Sequence, residues 1–473
     1  MNSRSLLRSA ALGGAVVATL CFFPLLNGLA SEPAWLHWTT FDSVESMATW
    51  LVTAAIVALT LWFSARVGGR TWGDVVGTAW LLSGGVFVVG GVVKIDAVMG
   101  YVGAYRSSGP WVIGALAVAV AAIAAIAVVH PGAGDATRVQ RFTQFLWPLI
   151  LLLLFHFIRA PALAASQQRV LSPGPASLSM SPAAVIRHTA SSGGGLRTVI
   201  LLFDELSPDY LFGDRAVDLS ARPALHRLVT DGRIYRDAHL PGGSTRHAIP
   251  ALFGATAAAP QGLVEAVRDQ GRSVRVLGWY HDYCAGMAKA AEACHSNSIY
   301  NARTLHDGVS LLDPWWTNLN LLPADLPFSV LKDRTAIALH RRTLEATRDW
   351  LSAELADPQA DLIYAHVNVP HLPLLTDHLD TLRDPRPFTM SEEGYVRQFD
   401  AVDSVVSLVL ASHLRPTQLI VLSDHNARPL SPKSQHEHVV LVTLRAGMHE
   451  PDVISRVEAA ETVARLSLTP DSP

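Results

Sequence analysis

The chain reads as an N-terminal α-helical membrane domain of five spans followed by an α/β sandwich with a mainly parallel central sheet. Three observations predict this. Of 473 residues, 50% are hydrophobic and only 16% are charged, well below the roughly 25% charged content of soluble domains. The long apolar runs all lie before residue 165. Beyond residue 197, short apolar β-type runs alternate with helical patterns, the order that builds a sheet covered by helices. A formal net charge of -3 argues against a nucleic-acid binder, and three cysteines cannot supply a disulfide-dense scaffold.

The first domain, 1–165, holds apolar runs at 6–30, 47–65, 75–93, 111–130 and 142–158, each close to the roughly 20 residues needed to span a bilayer. The first run is longer than a signal-peptide core, and four more follow it, so it is expected to stay as a helix. Arg4, Arg8, Arg66, Arg70, Arg138 and Arg141 fall at alternate ends or loops, against Arg106 alone on the other side. That bias puts the N-terminus in the cytoplasm and everything after the fifth span outside. Residues 166–196 carry Ser166-Gln-Gln-Arg169, Pro173, Pro175, Pro182 and Gly193-Gly194-Gly195, a linker composition.

In the outer domain, 197–473, the run at 198–203 is continuously apolar, as a strand buried on both faces requires. Residues 221–231 have helical spacing and stop at Gly232. Strands are expected at 273–280, 361–367, 418–422 and 438–444, and helices at 335–355 and 391–414. Cys284 and Cys294 share this domain and are predicted to pair, the alternative being two buried thiols. A straight helix between them would hold the Cα atoms about 15 Å apart, so pairing requires a bend, expected at Gly286.

Ligands in open α/β sheets bind beyond the carboxyl ends of strands. Polar residues gather there: Asp204-Glu205 after the first strand, His366 and Pro370-His371 around the 361–367 strand, Ser423-Asp424-His425 after 418–422, and His436 and His438 before the last. Singly, each reads as a cap, a turn or a surface histidine. Together they suit a divalent ion, zinc first and manganese second. Gly242-Gly243-Ser244-Thr245-Arg246 opens a helix running toward Leu252. There Ser244 or Thr245 is either an ordinary N-cap or a nucleophile activated by a metal. Arg246 is a phosphoryl ligand or the partner of a surface carboxylate.

The segments VILLFDELSPD (199–209), ARPALHRLVTDGRIYRDAHLPGGSTRHAIPALFG (221–254), YAHVNVPHLP (364–373), and YVRQFDAVDSVVSLVL with LIVLSDH (395–425) resemble, in this order, the alkaline phosphatase/sulfatase superfamily. Five spans before such a domain resemble the phosphoethanolamine transferases and the lipoteichoic acid synthase-type phosphoglycerol transferases. The resemblance implies an alkaline phosphatase-like fold and a role for each matching residue. Asp204 is a metal carboxylate with Glu205 beside it, and Thr245 is the nucleophile, with Ser244 the choice in the sulfatase register. Asp424 and His425 are paired metal ligands. His371 contacts a second metal or the substrate, and His436 or His438 is the late histidine. It also implies a transferase in a bacterial inner membrane, with its catalytic domain in the periplasm. The donor would be a phospholipid, and the acceptor a lipid or glycan at the membrane surface. The region Ser244-Thr245-Arg246-His247-Ala248 lacks the cysteine and proline of the sulfatase motif, and Asn426 stands where the family has glycine. A sulfatase-like or phosphodiesterase hydrolase is the second expectation, and a non-catalytic assembly or regulatory protein the third.

Overall fold

The computed structural model describes residues 3–22, 25, 40–69, 195–287, 291–298, 312–320, 329–375, 391–445 and 453–469, with isolated positions inside these ranges left out, and scattered positions between 70 and 84. The apolar runs at 111–130 and 142–158 lie outside the described residues, as does most of the run at 75–93 and nearly all of the 166–196 linker. The chain divides into two compact units, Met1–Gln167 with Tyr300–Thr335, and Gln168–Ile299 with Ala336–Pro473.

In the first unit the helices Ser3–Cys21 and Thr40–Val67 pack along their lengths. Small residues permit the approach: a Cβ on Gly14 would lie 2.3 Å from the Ala54 carbonyl oxygen. Asn318, remote in sequence, ends the first helix. Its Nδ2 donates to the Cys21 carbonyl at 2.7 Å and its Oδ1 accepts from the Leu25 amide at 3.0 Å, which satisfies groups a helix end leaves unpaired. Trp315 sits edge-on to Phe22 at 5.0 Å and donates to Thr53 Oγ1 at 3.2 Å. Among the described residues one helix, Asp42–Val67, is long and apolar enough to cross a membrane, where the sequence predicts five spans.

The second unit is a three-layer α/β/α sandwich. Its seven-stranded sheet has the order β2-β9-β7-β1-β6-β4-β5. The strands are β1 (Arg197–Phe203), β2 (Arg233–Ile234), β4 (Val274–Trp279), β5 (Ala293–Asn297), β6 (Leu362–Val367), β7 (Thr417–Ser423) and β9 (Leu441–Arg445). Alternation along β1 splits the core. Val199, Leu201 and Phe203 face the helices Pro223–Asp231, Ser329–Ala356 and Phe399–Leu410, while Ile200 and Leu202 face Thr245–Phe253, Leu263–Asp269 and Ala459–Leu468. Both faces of β1 are thus covered, which is why its sequence is apolar throughout.

The sheet is mixed rather than mainly parallel. β7, β1, β6, β4 and β5 pair in parallel, but β9 runs antiparallel to β7 and β2 antiparallel to β9. Parallel pairing needs a crossover, usually a helix. Between Ser423 and Leu441 the only helical element among the described residues is the 3₁₀ turn Lys433–Gln435, and the chain returns beside the strand it left. The strand expected at 438–444 is also two strands. β8 (His438–Val439) joins β3 (Ala238–His239) and β10 (Val457–Glu458) in a small separate sheet, and β9 joins the main one. The helix expected at 391–414 is likewise two, Glu392–Arg397 and Phe399–Leu410. The break falls at Gln398, whose side chain bonds both the amide and the carbonyl of Leu375. Cys284 and Cys294 form the expected disulfide, with Cα atoms 5.5 Å apart. Gly286, where the bend was expected, lies within the helix Tyr283–Met287.

Candidate active site

Register brings the site together. β1 lies between β6 and β7, with Leu202 opposite His366 and Phe203 opposite both Val367 and Ser423. Asp204 and Asp424 therefore reach the carboxyl edge at one level, and His366, opposite Leu202, lies two residues lower on the neighbouring strand. Each offers a ligand atom within 4.8 Å of the others, and all three are buried. The chain turns sharply after Asp204: Glu205 has φ 64°, a left-handed conformation uncommon for a side-chain-bearing residue. The turn presents the Glu205 amide to Asp424 Oδ1 at 3.0 Å, and the His425 amide donates to the same oxygen at 2.9 Å.

Thr245 completes the arrangement. It begins the helix Thr245–Phe253, is 6% exposed, and donates from Oγ1 to Asp424 Oδ2 at 2.5 Å. The preceding glycines bend the chain into place, with φ 93° at Gly242 and 53° at Gly243. A Cβ on Gly243 would lie 2.8 Å from the Cβ of His436, so the close approach also needs glycine. His425 Nδ1 donates to the Asn426 carbonyl at 2.9 Å, which turns Nε2 inward. That nitrogen lies 3.2 Å from Asp424 Oδ2, 3.4 Å from Thr245 Oγ1 and 3.7 Å from Asp204 Oδ1. His366 Nε2 stands 3.8 Å from Asp204 Oδ2.

The electrostatics ask for a cation. Burial first, and then the neighbouring Asp424 carboxylate, hold the Asp204 carboxyl well above the usual carboxylate range. Against the upward push of burial, His425 above all, then His366, the Thr245 hydroxyl and the Glu205 amide keep Asp424 low. Burial pushes His366 down to about 3, so its ring is neutral and carries a lone pair. Asp204 Oδ1 and His366 Nε2 are buried without a hydrogen-bond partner, and such groups are rare unless something binds them. Two carboxylates, two imidazoles and a hydroxyl are the donor set of a zinc site and also accept manganese. The residues present therefore fit a divalent metal.

The other residues singled out from the sequence bond to partners outside this cluster. Ser244 Oγ pairs with His247 Nδ1 at 2.9 Å. The Glu205 carboxylate accepts from Arg428 Nε at 3.1 Å. His436 Nε2 is 3.3 Å from the Ser431 carbonyl oxygen. His438 Nε2 is 2.9 Å from that of Arg236, in the small sheet. His371 donates from Nδ1 to the Leu372 carbonyl at 2.6 Å and packs on Trp279 at 5.5 Å; the same indole meets His366 edge-on at 5.6 Å. The Arg246 side chain lies outside the described residues. In the sequence His366 is one of the polar residues at strand ends that together suit a divalent ion, but the family resemblance gives it no role of its own. The signal was there: a histidine two residues after Tyr364, on one face of an otherwise apolar strand.

No protein-family model and no curated protein sequence matches the chain. Among solved structures it is similar to Ps i-CgsB in complex with k-i-k-neocarrahexaose, at 12% identity over 59% of this chain and 72% of that one, with a TM-score of 0.38. It is similar to a protein in the alkaline phosphatase superfamily from Vibrio parahaemolyticus, at 14% identity over 58% and 67%, TM-score 0.35. It is also similar to the C-terminal periplasmic domain of phosphoethanolamine transferase EptC from Campylobacter jejuni, at 12% identity over 54% and 80%, TM-score 0.32.

Proposed function

We propose that the protein is a metal-dependent phosphotransferase that moves a phospholipid-headgroup phosphoryl unit to a lipid or glycan acceptor at the outer face of a bacterial inner membrane. One observation carries this reading: the Thr245 hydroxyl is buried at a helix N-terminus, 2.5 Å from Asp424 Oδ2, beside the unpartnered Asp204 Oδ1 and His366 Nε2. A helix cap needs no such setting; a nucleophile does.

Asp204, His366, Asp424 and His425 would hold the ion, and Thr245 would complete the set. A bound divalent ion lowers the acidity barrier of a nearby hydroxyl and neutralises charge on phosphoryl oxygens. The Thr245 proton leaves toward Asp424 Oδ2. Thr245 Oγ1 bonds to phosphorus as the bond to the donor's alcohol oxygen breaks, and His371 protonates the departing alkoxide. Amides at the start of Thr245–Phe253 face the phosphoryl oxygens. An acceptor hydroxyl then attacks the phosphothreonine and gives its proton to His371 as its oxygen replaces Oγ1 on phosphorus, and the proton held by Asp424 returns to Thr245. The helix Thr40–Val67 would tether the enzyme beside its lipid donor.

The test uses full-length protein in detergent, loaded with zinc and incubated with phosphatidylethanolamine. Intact-mass and peptide analysis should place a headgroup phosphoryl adduct on Thr245. An adduct on Ser244, or none, would overturn the assignment. Release of free headgroup phosphate with no transfer to any added acceptor would make the protein a hydrolase instead.

A further inference from the structure

We infer that Tyr283 is the positioning residue for His366, and that the Cys284–Cys294 disulfide holds Tyr283 in place. This rests on the metal reading of the site. The Tyr283 hydroxyl is 2.9 Å from His366 Nδ1 and 3.0 Å from the Tyr364 hydroxyl. All three side chains are buried, at 3%, 0% and 1% exposure. Tyr364 and His366 are two residues apart on β6 and so share a face. A histidine that gives Nε2 to a metal must carry its proton on Nδ1. His366 Nδ1 then donates to the Tyr283 oxygen, and Tyr283 passes its own proton on to Tyr364. The hydroxyl thus selects the tautomer that aims a lone pair from Nε2 at Asp204, in the way that hydrogen-bonded neighbours orient metal-binding histidines.

The surroundings hold that hydroxyl in place. The helix Tyr283–Met287 has five residues, too few to be stable by its own hydrogen bonds. Its position comes from outside. Cys284, next to Tyr283, is bonded to Cys294 on β5. The Tyr283 amide donates to Ser296 Oγ at 3.2 Å, and Ser296 Oγ donates to the His281 carbonyl at 2.6 Å. The ring lies over Gly278, where a Cβ would come within 2.1 Å of Tyr283 Cδ2. Phe253 and Tyr364 close round it at 5.8 and 5.6 Å. Removing the crosslink leaves the hydroxyl in place only as firmly as Ser296 and the two rings can hold it.

The experiment uses the full-length oxidised protein with zinc as the probe, its affinity read by chelator competition, and 15N-histidine spectra of the metal-free protein for the His366 tautomer. Tyr283→Phe should weaken zinc by about 10–100-fold with unchanged circular dichroism. It should also turn the single Nδ1–H signature of His366 into a mixture. C284A/C294A should weaken zinc in the same direction, and adding Y283F to it should bring no further loss, because both act through one hydroxyl. Wild-type affinity together with an unchanged tautomer in Tyr283→Phe would overturn the inference, as would additive losses. If Tyr283→Phe fails to fold, C284A/C294A alone decides: unchanged affinity and tautomer refute the inference. If the wild type binds no zinc, the metal reading fails instead, and the tautomer spectra still judge Tyr283.

Discussion

Among the described residues of the second unit, two histidine–carboxylate groups have opposite characters. At the carboxyl edge of the main sheet, His366 and His425 are fully buried with Asp204 and Asp424. Each commits Nδ1 to a protein oxygen and turns Nε2 to the carboxylates. In the small sheet, His239 and His438 face each other across β3 and β8 and stack at 5.6 Å. There Nε2 is already taken, by Asp237 Oδ1 at 2.7 Å and by the Arg236 carbonyl at 2.9 Å. The same residue types therefore make a ligand set in one place and a surface pair in the other. What separates them is burial, which keeps the His366 ring neutral, and which nitrogen is spent on the protein.

The largest effect should come at Thr245. Thr245→Ala should lower turnover by on the order of 10³-fold or more, with the fold retained, because loss of a helix-start hydroxyl costs only about 0.5–2 kcal/mol. Ser244→Ala, which loses the hydroxyl's contact to His247 Nδ1, should leave turnover within a small factor. Steady-state kinetics on both variants would break the contrast if the order were reversed.

Metal binding sharpens the comparison next. His366→Ala or His425→Ala should weaken zinc by more than about 100-fold, beyond the range typical of outer-shell changes. His239→Ala and His438→Ala should leave it unchanged. Chelator competition on the four variants measures this, and equal losses at His438 would return that residue to the metal site.

A third expectation concerns acid. Burial first, and then His371, push His340 down from 6.5 to about 3. Below pH 6.5 the unfolded chain takes up a proton that the folded chain refuses until about pH 3. Stability should therefore fall as pH drops through this window, by about 1.4 kcal/mol per pH unit for each such proton. His366 adds a second proton in the metal-free protein. His340→Gln should flatten the slope by about one proton, read from urea midpoints against pH; an unchanged slope would mean His340 is charged when folded. The smallest effect belongs to the surface pair, where His438→Ala should shift the urea midpoint by no more than the roughly 0.5 kcal/mol of ordinary surface changes.

Much of the layout was legible in the sequence. The apolar run 198–203, the strand ends at Asp204 and Asp424, and the helix starting at Thr245 follow from periodicity and turn residues, which act locally. The pairing of Cys284 with Cys294 was legible from their shared domain. The choice between Thr245 and Ser244 was not, since adjacent hydroxyls differ only in which way the first helical turn points them. The role of His366 was hidden because a histidine in an apolar strand reads as a core residue until its neighbours are known.

Local pattern by itself determined that a helical, apolar N-terminal region precedes an α/β unit with carboxylates and histidines at its strand ends, because helix and strand periods are written residue by residue. Tertiary structure alone decided which of those residues meet. Parallel pairing of β1 with β6 and β7 sets Leu202 against His366 and Phe203 against Ser423. It thereby brings ligand atoms of Asp204, His366 and Asp424 within 4.8 Å of one another across more than two hundred residues. The antiparallel return of the chain after Ser423 sends His438 to another sheet. Strand order and register depend on how whole faces bury against helices, a long-range property that no short stretch of sequence contains.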